Sequence, residues 1–62
     1  MKLKDFFKNN KVKTPIVIME LLENSLSSSE EYEKISKIDR KYLNAEYMEH
    51  TEEDEVTEIW VM

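Results

Sequence analysis

The chain has 62 residues, a net charge of −5, no Cys and no Gly, which bounds it to one domain whose core buries only about 60% of the unfolded surface. Without Cys there are no disulfides or thiolate metal sites, and a single His completes no standard zinc set. Without Gly, phosphate-cradling loops, dinucleotide-binding turns and nucleophile elbows are disfavoured, because they need it where backbone meets ligand or takes positive φ.

The charge is uneven. Residues 1–19 carry five Lys against Asp5, a net of +4, while residues 20–62 carry thirteen acids against four bases, a net of −9. An acidic whole does not favour nucleic acid or an anionic membrane and points instead to a basic protein surface. No run approaches the roughly 18 apolar residues of a membrane span. The N-terminus lacks the apolar core of a signal peptide, so a cytoplasmic location is expected. With disulfides and zinc excluded, a second subunit is the remaining way to reinforce so small a core, and a homodimer is expected.

Leu3, Phe6 and Phe7 lie at i, i+3 and i+4, the stripe of a short helix. Asn9-Asn10 is placed to stop it in the left-handed conformation. Thr14-Pro15 precedes Ile16-Val17-Ile18-Met19, a β-branched run read as a buried strand; Leu21-Leu22 fits its continuation, while Glu20 and Glu23 also permit a helical reading there. Asn24–Ser29 is Ser-rich and reads as a loop.

Residues 30–43 carry two competing patterns. Capping boxes at Ser27/Glu30 or Ser28/Glu31, and a face of Tyr32, Ile35, Ile38 and Tyr42, fit a helix from about 29 to 43. The alternative is a strand at 31–36 and a short helical piece at 39–43.

The last third reads as a β-hairpin, with arms Ala45–His50 and Glu55–Val61 and a turn at Thr51–Asp54. Lacking Gly, it should use a four- or five-residue loop rather than a primed two-residue turn. Alternation places Thr57, Ile59 and Val61 on one face and Val56, Glu58 and Trp60 on the other. The expected fold is therefore α+β: a short N-terminal helix packed on a three- to four-stranded, mostly antiparallel sheet that ends in this hairpin.

Two surfaces are candidates for binding. Glu52, Glu53, Asp54 and Glu55 form a carboxylate turn, within a stretch holding seven acids from Glu46 to Glu58. It reads first as a solvated loop that protects an edge strand, and second as an array that mimics phosphates on a basic partner. It lacks the spaced ligands and Gly of a calcium loop, so no metal or cofactor is expected. Tyr47, Met48 and Trp60 form the second candidate, a dimer or partner interface. One two-turn helix covers only one sheet face, so Trp60 lies on the side opposite Ile59 and Val61. His50, without a second His or a nucleophile, reads as a packing residue, and no catalytic set is present.

Met1–Phe7 before a β-branched strand, Ile35–Ile38, Lys41–Asn44 with Glu46, and Glu52–Val61 occur in an order that resembles very small phage and prophage proteins of low-GC Gram-positive bacteria. Those begin with a "KLxDLL"-like helix, carry a "YLD.E" segment and finish with an "EDDxLxIxV"-like hairpin. The resemblance covers residues 1–8 and 35–61, with Asn44 where those proteins carry Asp. It implies strands on both sides of the Ser-rich loop, no catalytic residues and a phage accessory role: binding and inhibiting a bacterial anti-phage defence protein. The alternatives are an antitoxin-like or structural module that neutralises a basic partner, and a sponge for a signalling nucleotide.

Overall fold

The computed structural model describes residues 1–62. Helix α1 spans Leu3–Asn9, strand β1 Ile16–Leu22, strand β2 Ser25–Ser28, helix α2 Arg40–Leu43, strand β3 Tyr47–Glu52 and strand β4 Thr57–Val61, with a 3-10 turn at Ile35–Lys37. The four strands form one sheet in the order β2-β1-β4-β3. β1 pairs antiparallel with β2 and β4 pairs antiparallel with β3, while the central pair, β1 and β4, is parallel. The expected α+β class, N-terminal helix and C-terminal hairpin are all present.

The core follows from alternation. Ile16 and Ile18 of β1 and Ile59 and Val61 of β4 are fully buried on one face. Leu3 and Phe6 of α1 close over them, joined by Tyr32, Ile38 and Tyr42. Each such side chain contributes about 1.5–3 kcal/mol on burial. A seven-residue helix is unstable alone, so this packing holds α1 in place.

The helix ends differently from expectation. No residue of the chain has positive φ. The side-chain amides of Asn9 and Asn10 instead donate to the carbonyls of Asp5 and Phe6 at 3.2 and 3.0 Å. The orphan carbonyls of the last turn are met by side chains, with no left-handed residue needed.

The Ser-rich segment is a strand, not a loop. The two-residue connection Glu23-Asn24 joins it to β1. All φ being negative excludes the primed turns. Other two-residue turns splay their flanking strands, and β2 leaves the ladder after four residues. Ser29 fastens its end: the Ile18 N–H donates to Ser29 Oγ and the Ser29 N–H donates to the Ile18 carbonyl, both at 2.8 Å.

Residues 30–43 form neither the long helix nor a strand at 31–36. Tyr32 makes one antiparallel bridge to Ile16, with both backbone bonds at 2.8 Å. The short helical piece is found at Arg40–Leu43, where the Asp39 carboxylate accepts from the Lys41 N–H. Burial of Tyr32, Ile38 and Tyr42 over β1 overrides the helical propensity of the segment. In the hairpin, Thr51 and Glu52 belong to β3, so the connection is Glu53–Val56, two residues beyond the expected turn. Its length is the expected four, and the Glu53 N–H donates to the Val56 carbonyl across it at 2.8 Å.

Candidate interaction surface

Residues in register across a sheet share a face. The register joins Ser28, Met19, Trp60 and Glu49 in one row, Leu26 and Leu21 in the next, and Val17, Glu58 and Thr51 in a third. Met19, Leu21, Val17 and Trp60 are only partly buried, and Leu26 is half exposed. None of them belongs to the core or packs against it. The helices supply Leu3, Phe6 and Tyr42 to the opposite face, so this one is uncovered. Its centre is apolar, its rim carries Glu49 and Glu58, and no cation occupies any of the three rows. An uncovered apolar patch rimmed by polar groups is the signature of a binding surface.

The candidate trio from the sequence is split. Trp60 lies at the centre of the open face. Tyr47 lies on the other face, its ring stacked on Phe6 with centroids 4.2 Å apart and planes 10° from parallel. Its hydroxyl is hydrogen-bonded to His50 Nδ1 at 2.7 Å. Met48, 43% exposed, sits where the β3–β4 register shifts between Tyr47 and Glu49. That single extra residue is the cause: along a regular strand Tyr47 would share the face of Glu49 and Trp60, and a one-residue bulge turns it over. The sequence reading missed Val17, Met19, Leu21 and Leu26, which join Trp60 only through the β1–β4 and β1–β2 registers.

The carboxylate turn is divided as well. Glu52 pairs with Thr57 on the covered side, and its carboxylate lies 3.9 Å from His50 Nε2. Glu53, Asp54 and Glu55 are exposed and unpaired. The root of the turn is fixed by buried Thr57, whose hydroxyl donates to the Lys13 carbonyl at 2.8 Å and whose N–H donates to the Pro15 carbonyl at 3.0 Å. The backbone of Lys13 and Pro15 therefore runs beside the root of the turn.

The phenol of Tyr32 titrates above its ordinary range. Burial pushes its phenol up, helped by Tyr42, Glu30 and Asp39 nearby and opposed by a backbone hydrogen bond from Asp39. A shallow depression beside it is lined by Glu30, Glu31, Glu33, Lys34 and Lys37. Tyr32 is the single hydrophobic residue of that lining, whereas small-molecule pockets are lined mostly by hydrophobic and aromatic side chains. No three His, Cys, Asp or Glu side chains gather as a metal set, and no helix is long and apolar enough to cross a membrane. No family model, characterised protein or solved structure matches the chain.

Proposed function

We propose that this chain is a non-catalytic protein of phage origin that binds and inhibits a bacterial anti-phage defence protein in the host cytoplasm. The observation that carries the binding role is the uncovered sheet face, with Trp60 between Met19 and Glu49 and no cation in its rows. Trp is enriched among the residues that dominate binding energy, above all at a patch centre. The rim of Glu49 and Glu58 selects a partner with an apolar knob flanked by Lys or Arg, and complementary rim charges speed encounter. The phage setting and the inhibitory role are supported by the resemblance of residues 1–8 and 35–61.

The acidic turn is the lesser candidate, because Glu53, Asp54 and Glu55 are exposed and unpaired, as a solvated charge run that keeps a neighbouring edge strand soluble would be. The nucleotide-sponge alternative draws no support from the charged depression at Tyr32.

The test is phage growth on hosts carrying single defence systems, with the wild-type chain, Trp60→Ser and Glu53/Asp54/Glu55→Gln. The expected result is protection of phage against one system and co-purification of its protein. Both are lost in Trp60→Ser and kept in the turn variant. Protection that survives Trp60→Ser but disappears with the turn would refute the open face as the binding surface.

A further inference from the structure

The two edges of the sheet are not alike. β3 is guarded by the bulge at Met48 and by Glu49, His50 and Glu52, the usual devices against edge-to-edge association. β2, Ser25-Leu26-Ser27-Ser28, has no charge, no Pro and no bulge, in a chain that is 37% charged. All four of its residues are exposed.

The outward groups of β2 can be named. The bond from the Ser29 N–H to the Ile18 carbonyl makes 18 and 29 a hydrogen-bonded pair. Antiparallel pairs alternate, so Ser27 and Ser25 bond inward to Glu20 and Leu22. Leu26 and Ser28 then direct their N–H and C=O groups away from the sheet. The free edge ends there, because the bridge of Ile16 to Tyr32 is one residue out of step with the pair of 18 and 29, which places a bulge at the acidic Glu30-Glu31.

We infer that β2 pairs with β2 of a second copy, antiparallel about a two-fold axis through Ser27. This register sets Leu26 of each copy opposite Ser28 of the other and uses every outward group of both, as four backbone hydrogen bonds. Only like residues meet on the axis. Ser27 meets Ser27, a neutral pair able to hydrogen-bond, whereas a charged residue there would repel itself. The result is one eight-stranded sheet. A two-fold axis perpendicular to it brings both open faces to the same side, so Leu26, Leu21, Met19 and Trp60 of the two copies form one continuous apolar surface. The contact is distinct from the partner-binding face and leaves Trp60 free.

Four strand residues bury less than the roughly 1,200 Å² of a standard stable interface, so the dimer is a dissociating one. Glu23, Glu30 and Glu31 stand at both ends of the shared edge and repel between copies, so association tightens as salt screens them.

Sedimentation equilibrium from micromolar to millimolar chain tests this, together with single-Cys variants of a chain that has no Cys. The wild type is expected to move from one-chain to two-chain mass, more readily at high salt. Ser28→Pro removes only an outward donor and is expected to stay at one-chain mass with an unchanged circular dichroism spectrum. Trp60→Ser still dimerises. Ser27→Cys places two thiols on the axis at a Cα separation of about 4.5 Å, within disulfide range, and is expected to cross-link under mild oxidation. Ser25→Cys sets them roughly 13 Å apart and stays uncross-linked. One-chain mass throughout, equal cross-linking at the two positions, or association that weakens with salt as lysine–carboxylate pairing would, overturns the proposal. So does a one-chain wild type whose target capture fails in Ser28→Pro, which assigns the edge to a partner's strand instead.

Discussion

Met19 of β1 and Trp60 of β4 lie in register on parallel neighbouring strands, side by side on the face that no helix covers. Their sequence neighbours, Ile18 and Ile59, form the adjacent pair on the opposite face and are fully buried. The boundary between core and open face therefore runs through the sheet, one residue at a time.

Ile59→Ala and Trp60→Ala should separate these roles. Truncating buried Ile59 is expected to cost about 2–5 kcal/mol, a large part of the stability of a small domain. Truncating partly buried Trp60, outside the core, is expected to cost about 1 kcal/mol or less. Urea unfolding compares them, and equal losses would contradict an uncovered Trp60.

Tyr47→Phe keeps the ring on Phe6 and removes the hydroxyl contact with His50. The expected loss is about 0.5–1.5 kcal/mol, the net worth of one such bond. Tyr47→Ala also removes the stacking and is expected to cost about 3 kcal/mol. A loss for Tyr47→Phe as large as that for Tyr47→Ala would mean that the ring packing contributes little.

Thr57→Val replaces the buried hydroxyl that donates to Lys13. It leaves the Lys13 carbonyl without this donor and is expected to destabilise by about 1–3 kcal/mol. Thr57→Ser keeps the donor and is expected to lose less. Denaturant midpoints give the order, and the reverse order would rule out the hydroxyl bond as the anchor.

The raised pKa of Tyr32 sets the sign of one alkaline effect. The folded chain holds this proton more tightly than the unfolded chain, so the contribution is fully present below the unfolded value of about 10. It is lost as pH rises from there through the folded value. Urea midpoints at successive alkaline pH values should fall more steeply for the wild type than for Tyr32→Phe. Parallel falls would remove Tyr32 as the cause.

Glu53/Asp54/Glu55→Gln is expected to change stability by no more than about 0.5 kcal/mol, since all three are exposed and unpaired. Thermal unfolding checks this, and a loss of several kcal/mol would make the turn structural.

Alternation along residues 57–61 was readable from side-chain type alone, because a strand's period of two admits one assignment of Ile59 and Val61 against Trp60. The stripe of Leu3 and Phe6 was readable for the same reason at helical spacing. Residues 30–43 were not: their capping signals and the face of Tyr32, Ile35, Ile38 and Tyr42 describe a helix in isolation, and the backbone pairing of Tyr32 with Ile16 supersedes them. Nor was β2, whose Ser-rich composition resembles a loop until β1 offers it a ladder.

The sequence by itself determined the α+β class, the terminal hairpin and which face Trp60 shares with Glu58, since these follow from local periodicity. Tertiary structure alone decided that β1 lies parallel to β4, which assembles Val17, Met19 and Leu21 around Trp60. It also decided, through one extra residue at Met48, that Tyr47 joins the core side and not the surface. Register is a relation between strands far apart in the chain, and a one-residue shift reverses every side chain beyond it.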